Sequence, residues 1–285
     1  SSLNNLTIKT RTSLAAYHSY NYLLAKENLT DHLDLNEKKG KIRQRLWKIR
    51  AKKVIISTGS MERPLIFNNN DRPGIILSSS IKKYIDYFGV KCGQKISLFT
   101  NNDSAYETAI SLNHSGVTVN SIIDIRNKSN SSIVKSAENL GIKIYWKHTV
   151  VNTSGYKRIN SIEIMKLSDN NSGVVGNKLK EKCDCLGISG GWTPRVHMFT
   201  QSGGQLKFRD KDNIFLPDKS TSEQISIGSC NGDFELDDII KNSNKSIKEF
   251  LNINNSDFEN LKIISSKEVN KKNIWLLPSD KPLNK

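Results

Sequence analysis

KISLFTNNDSAYETAISLNHSG, residues 95–116, joins a short apolar run to a segment with the apolar spacing of a helix. The same alternation continues downstream, with apolar runs at 117–125 and 142–146 on either side of a helical pattern at 133–140. Strands that alternate with helices of about ten residues are typical of a parallel sheet with right-handed crossovers. The sequence therefore predicts an α/β chain with a Rossmann-like unit over about residues 95–146.

The loop between the first strand and helix of that unit, TNNDSAY at 100–106, contains no glycine. A dinucleotide-binding loop needs glycine where the backbone turns with positive φ and approaches a pyrophosphate. Asp103 would place a carboxylate where a phosphate binds, and repel it. Asp124 ends the second strand, about twenty residues on, and matches the position of a ribose-binding acid. Without the glycines we expect a structural loop and a vacant nucleotide fold.

Two segments outside this unit show a better signal for a dinucleotide. VIISTGSMERP, residues 54–64, is a buried-type strand that ends in Thr58, Gly59 and Ser60, with Arg63 available to a phosphate or a neighbouring chain. ISIGSCNG, residues 225–232, is a second strand that turns through Gly228 and Gly232 towards a predicted helix, whose N-terminus would suit an anion. Since the two segments frame the Rossmann-like unit, we expect one domain interrupted by another.

SGGWTPRVH, residues 189–197, is a third candidate segment. Gly190 and Gly191 follow a predicted strand, and Trp192 and Pro194 stand at a predicted helix start. The indole of Trp192 could cover a cofactor or seal a domain interface, and packing in a core is an equally good interpretation. We count Gly190, Gly191 and Trp192 among the candidate cofactor-binding residues. None of the five histidines has the neighbours of a nucleophilic triad, so no catalytic residue is predicted.

Four divisions of the chain follow from these patterns. Residues 1–90 read as the later part of a first dinucleotide-binding domain, a β-meander plus a core strand, and 91–205 as the second, Rossmann-like domain. Residues 206–245 return to the first domain. Residues 246–285 read as a helical linker towards a further C-terminal region.

Composition argues against several kinds of partner and site. The chain has 285 residues, a formal net charge of +15 and four cysteines. Its basic residues are spread through loops and helices without a run of five, which favours compositional bias over nucleic-acid binding. The cysteines show no metal-binding spacing, which indicates a reduced, cytoplasmic protein, and no apolar stretch is long enough to span a bilayer. We predict no metal site and neither nucleic acid nor membrane as a partner.

Several of these stretches together resemble one family. TNNDSAY and SGGWTPRVHMFTQSGG, with the segment around VIISTGSMERP and the GSCNG turn, are similar to the alpha subunit of heterotetrameric sarcosine oxidase over about residues 5–245. The resemblance implies a pyridine nucleotide-disulfide oxidoreductase-like region with a two-dinucleotide-binding-domain, flavoprotein-like architecture. Because that family carries a glycine-rich βαβ loop before this region and a folate-binding module after it, we expect an internal fragment.

The resemblance also implies cofactors and partners. It places NAD in this subunit, with FAD as the alternative, and FAD, FMN and tetrahydrofolate elsewhere in a complex that demethylates sarcosine to glycine and reduces O2 to H2O2. Thr58, Gly59 and Ser60 match one nucleotide-contact segment of the family, and Gly228, Asn231 and Gly232 match the other. The partners implied are the other subunits. A related amine or opine dehydrogenase subunit and a non-catalytic scaffold remain the alternatives.

Overall fold

The computed structural model describes residues 4–253 and 272–281. The chain forms two compact units, one from Ser1–Ser60 with Pro194–Ile264 and the other from Met61–Thr193 with Ser265–Lys285. The chain thus leaves the first unit at residue 60, builds most of the second and returns at residue 194. The α/β fold class predicted from the sequence is confirmed.

Strands and helices alternate over residues 96–146, as the sequence predicted. The strands are β1 (Thr12–His18), β2 (Tyr22–Asn28), β3 (Gln44–Arg50), β4 (Val54–Ile56), β5 (Ser60–Glu62), β6 (Ile75–Leu77), β7 (Ile96–Thr100), β8 (Val119–Asp124), β9 (Ile144–Trp146), β10 (His148–Ser154), β11 (Ser161–Leu167), β12 (Val174–Glu181), β13 (Cys185–Ser189), β14 (Trp192–Pro194), β15 (Leu206–Arg209), β16 (Ile214–Pro217) and β17 (Gln224–Ser226). The helices are α1 (Leu35–Lys38), α2 (Ser78–Phe88), α3 (Ser104–His114), α4 (Ser132–Asn139), α5 (His197–Gln201) and α6 (Leu236–Leu251), with a 3-10 helix at Gly228–Asn231.

A five-stranded sheet forms the centre of the second unit, with the strand order β6-β13-β7-β8-β9. All of its neighbouring pairs are parallel. Both faces are buried, as parallel sheets require: along β7, Ile96 and Leu98 pack into one apolar cluster and Phe99 into the other. Helices α3 and α4 connect β7 to β8 and β8 to β9, which gives the predicted Rossmann-like unit.

Helix α2 shows which sequence signals were sufficient and which were not. Its end coincides with a glycine, since Gly89 adopts a left-handed φ of 63° and its N–H donates to the carbonyl of Ile85. No serine caps its N-terminus, because Leu77 holds the N-cap position and makes no side-chain cap hydrogen bond. The Ser79 N–H donates instead to the carboxylate of Glu62, at 2.7 Å, so the helix start is satisfied by a buried residue distant in sequence.

The first unit is mostly antiparallel. Strands β1, β2 and β3 form one sheet, and β15 and β16 form a hairpin. Its parallel pair is β4 with β17, which joins the two segments that frame the inserted unit. The buried centre of this unit contains Tyr17, Ile56, Phe199 and Cys230.

Three details differ from the sequence interpretation. The compact units change at residues 60 and 194, whereas the predicted domain limits lie at 90 and 205. Trp192 and Pro194 belong to strand β14, which pairs with β5, so the helix start predicted there is wrong. The predicted linker 246–285 falls partly outside the described residues; within them, Leu277 is buried in the core of the second unit.

Candidate functional site

The turn after β4 and the turn after β17 are neighbours in the first unit. The two strands pair in parallel, with Ile55 opposite Ile225 and Ile56 opposite Ser226. The pairing continues one residue further, since the Ile227 N–H donates to the Ile56 carbonyl at 2.9 Å. The carboxyl ends of both strands therefore open at the same edge.

Glycines shape both turns. Gly59 has φ +74° and Gly228 has φ +68°, a left-handed conformation that side chains with a Cβ adopt at a cost. A Cβ added to Gly59 would have one heavy-atom neighbour within 4 Å, the Ser229 Oγ at 3.8 Å, so the backbone there is open to close approach. This is the arrangement that a dinucleotide-binding edge needs.

The second turn is held in place by packing. Cys230 is buried, and its thiol donates to the carbonyls of Ile227 at 3.0 Å and Ile56 at 3.3 Å. Gly232 has a packing reason of its own, because a Cβ there would lie 2.6 Å from Leu216 Cδ2. Cys230 and Gly232 thus fix the turn that presents Gly228.

The sequence predicts an α-helix N-terminus at Gly228, and this prediction is wrong. A 3-10 helix occupies residues 228–231, and α6 begins only at Leu236. Glu235 precedes that helix, and Asp237 and Asp238 lie in its first turn. Since these carboxylates already complement the positive helix end, α6 does not offer it to a phosphate.

Arg195 belongs to this edge, and the sequence interpretation missed it. Its N–H donates to the Gly59 carbonyl at 3.0 Å, and its carbonyl accepts from the Thr58 hydroxyl at 2.8 Å. The side chain is exposed. A basic residue directly after the Gly-Gly-Trp-Thr-Pro stretch was the available signal, although only the pairing in the structure connects it to Thr58.

Arg63, Gly190, Gly191 and Trp192, the other candidate cofactor contacts, lie together in the second unit. Arg63 stacks over the Trp275 ring at 3.7 Å, and burial lowers the pKa of its guanidinium. The Arg63 N–H donates to the Gly191 carbonyl at 2.8 Å. A Cβ on Gly190 would lie 2.8 Å from the Arg63 carbonyl, so this glycine has a packing reason.

The loop at 100–106 is filled by its own side chains. The Asn102 Oδ1 accepts from the Ser104 N–H at 3.0 Å, and its amide nitrogen donates to the Ser189 carbonyl at 3.2 Å. The Asn101 amide donates to the Lys272 carbonyl at 2.9 Å. The Trp192 indole N–H donates to the Ser104 hydroxyl at 3.2 Å, which closes the loop from the outside.

A buried charge cluster lies behind this loop. One guanidinium nitrogen of Arg126 lies 2.7 Å from Asp103 Oδ1, and another lies 2.7 Å from Asp124 Oδ2. None of these three residues is more than 5% exposed. The Tyr106 hydroxyl also donates to Asp124, at 2.8 Å, and burial together with Asp124 raises the pKa of that hydroxyl. Asp124, the predicted ribose acid, is therefore already bonded.

The two edges differ in how they fit a dinucleotide. Within the described residues, the loop at 100–106 offers no glycine turn, and Arg126 is already shared between two carboxylates. At the other edge, Ser226 Oγ is buried and has no hydrogen-bond partner in the described part of the chain. An orphaned hydroxyl at the end of β17 fits a group that accepts or donates a hydrogen bond there.

Other kinds of site receive no support. No group of three His, Cys, Asp or Glu side chains among residues 4–253 and 272–281 is arranged to hold a metal ion. Cys183 and Cys185 are buried, and burial raises the pKa of each thiol to about 12, so neither is a reactive thiolate. Over the same two ranges, no helix has the length and apolarity to cross a membrane.

Comparison with known proteins agrees with this fold. No family model matches the chain. Over 224 residues, 78% of this chain, it is 33% identical to the sarcosine oxidase subunit alpha of Corynebacterium sp. (strain U-96), and it spans 23% of that subunit's length. The chain is thus similar to these alpha subunits along one segment of them.

Solved structures extend the similarity to the fold. Thioredoxin reductase from Lactococcus lactis superposes with a TM-score of 0.56 at 15% identity, over 84% of this chain and 73% of that one. A FAD-dependent pyridine nucleotide-disulphide oxidoreductase from Desulfovibrio vulgaris gives 0.51 at 13% identity, over 77% of this chain and 53% of that one. The predicted two-dinucleotide-domain, flavoprotein-like architecture is confirmed.

Proposed function

We propose that this chain, a relative of the sarcosine oxidase alpha subunits over the matched segment, binds a dinucleotide at the edge formed by β4 and β17. The observation that carries the proposal is the parallel pairing of these strands, which places the glycine turns at residues 59 and 228 side by side. In open α/β sheets, ligands bind in the crevice outside the carboxyl ends of the strands.

The residues proposed to hold the dinucleotide are Thr58, Gly59, Ser60, Gly228, Asn231 and Gly232. The glycines at 59 and 228 let the backbone approach the pyrophosphate, and backbone N–H groups in the turns donate to it. Arg195 supplies a cation next to Gly59. NAD is the proposed ligand, with FAD as the alternative; when bound, either supplies a group that accepts or donates a hydride.

Arg63, Gly190, Gly191 and Trp192 stay predicted contacts of the cofactor. Their hydrogen bonds and close packing in the second unit give each of them a structural role as well. The proposal therefore rests on the residues at the edge formed by β4 and β17 and does not require these four.

We further propose that the complete protein acts in a complex that oxidises sarcosine. Sarcosine, O2 and water would give glycine, formaldehyde and H2O2, and tetrahydrofolate would capture the one-carbon unit in place of its release as formaldehyde. FAD, FMN and tetrahydrofolate would bind elsewhere in that complex, and no catalytic residue is assigned in this chain. Support comes from the sequence similarity to the alpha subunits.

The test is an assay of the natural complex with sarcosine and, separately, with opines, with glycine and H2O2 as readouts. Sarcosine turnover with one H2O2 for each glycine supports the proposal. Oxidation of opines without sarcosine turnover would instead assign the chain to a related amine or opine dehydrogenase.

A non-catalytic scaffold is the second candidate, and the filled loop at 100–106 favours it for the second unit. Equilibrium dialysis of the complete protein with NAD and FAD separates the two candidates. A scaffold should retain neither dinucleotide, whereas the proposed function requires one of them to bind.

A further inference from the structure

We propose that a groove beside α2 in the second unit docks a protein segment whose apolar side chains are flanked by carboxylates. The groove has a volume of about 440 Å³. Its walls include Ile76, Tyr84 and Val90 on the apolar side and Lys157 and Arg158 on the basic side.

An aromatic stripe extends the apolar wall along α2. Tyr84, Tyr87 and Phe88 are 46%, 78% and 56% exposed, while Ile81, one turn earlier in the helix, is fully buried. The Phe88 ring packs edge-on against Tyr87, with ring centroids 4.8 Å apart. With 150–250 Å² for each aromatic side chain, the exposed part amounts to roughly 350 Å². The largest apolar patch on a typical monomer has about this size and is often functional.

Basic residues outnumber acidic ones around the stripe and the groove. Lys83 and Lys91 flank the stripe in sequence, and Lys157 and Arg158 line the groove. Among the described residues, none of these four is in an ion pair with a carboxylate. Asp86, the acid on the same helix, is bonded to Lys82 at 2.8 Å. Arg158 lies near enough to the Asp184 carboxylate to help lower its pKa, so a partner with carboxylates would meet chiefly Lys83, Lys91 and Lys157.

The side chain of Arg158 is held in place by hydrogen bonds within the chain. Its Nε donates to the Asp184 carbonyl at 2.7 Å, and another of its nitrogens donates to the Cys92 carbonyl. A guanidinium held by two carbonyls loses little side-chain entropy on binding a carboxylate. A fixed cation beside a concave apolar wall suits an acidic and apolar protein segment. Surfaces that bind a bilayer instead insert protruding apolar side chains into it.

The test uses two synthetic peptides with the same Leu-Leu-Phe centre, one flanked by Glu pairs and the other by Lys pairs. Fluorescence anisotropy with the complete protein should show the Glu peptide binding at least about tenfold more tightly. The double variant Tyr87→Ser and Phe88→Ser should lose that binding. Tyr20→Ser, which removes an 82% exposed aromatic side chain of the first unit, is the matched control and should retain it.

Charge-reversal variants and a measurement of binding to lipid vesicles complete the experiment. Lys83→Glu with Lys157→Glu should weaken binding of the Glu peptide and strengthen binding of the Lys peptide, and far-UV circular dichroism checks that each variant is folded. Equal binding of the two peptides, or binding of neither, overturns the proposal. So does sedimentation with phosphatidylserine vesicles that depends on Tyr87 and Phe88 without a peptide preference, because it would identify the stripe as a membrane contact.

Discussion

Arg126 places one positive charge between two buried carboxylates, Asp103 in the loop at 100–106 and Asp124 at the end of β8. The cluster lies behind this loop and bonds Asp124, the acid whose position in the sequence matches that of a ribose-binding residue. The single guanidinium gives both buried carboxylates a cationic partner. Removing Arg126 leaves two buried carboxylates without a cationic partner.

Arg126→Met should therefore lower the free energy of unfolding by about 3–5 kcal/mol, the usual range for breaking a buried ion pair. Urea unfolding followed by circular dichroism measures the change. Arg43→Met is the control, since Arg43 pairs with Asp31 on the surface, where its side chain is 76% exposed; its unfolding midpoint should match that of the wild type. A loss below about 1 kcal/mol for Arg126→Met would show that the cluster contributes little.

Glu62 is the residue from which we expect a pH effect. Burial raises the pKa of its carboxyl above the usual 4.5, although hydrogen bonds from Ser189 and Ser79 oppose the shift. The folded protein thus binds this proton more tightly than the unfolded chain does. The stabilisation is complete below the unfolded pKa and is lost as pH rises through the folded pKa.

Relative to Glu62→Gln, the wild type should accordingly become less stable as pH rises from about 4 towards neutrality. Urea unfolding of both proteins across that range checks the sign. A difference between the two proteins that stays constant with pH, or that moves in the opposite direction, would contradict a raised pKa.

At the level of elements, the glycine turn after β4 allows the cost of backbone strain to be measured apart from an effect on dinucleotide binding. Gly59 and Gly116 have nearly equal φ values of +74° and +71°, and a Cβ on either would meet little. Gly59→Ala and Gly116→Ala should each destabilise the protein by about 1–2 kcal/mol, the cost of a left-handed residue. Gly59→Ala alone should also weaken dinucleotide binding, measured by equilibrium dialysis. Equal affinities of the two variants would remove Gly59 from the site.

The elements also show what sequence could and could not predict. Helix α2 and the strands of the Rossmann-like unit follow from local periodicity and from the Gly89 stop, both of which are written in adjacent residues. The 3-10 helix at 228–231 and the strand at 192–194 depend on pairing with distant segments, which no local pattern encodes. Glu62 and Arg195 were missed for the same reason, since their partners lie far along the chain.

At the level of the whole molecule, the chain path explains why the candidate residues are scattered in sequence. The first unit is interrupted at residue 60 and resumed at 194, so β4 and β17 pair across an inserted α/β unit. The sequence predicted this interruption from the two framing segments, but placed its limits differently. Helix α2 belongs to the inserted unit, because its buried Ile81 packs in the core of that unit.

Hydrogen–deuterium exchange of the complete protein with and without NAD, and with and without FAD, tests the central claim most directly. The account predicts slower exchange at residues 56–60 and 227–232 when one of the dinucleotides is bound, and unchanged exchange at 100–104. Slower exchange at 100–104, with 56–60 and 227–232 unchanged, would place the cofactor in the Rossmann-like layer and contradict it.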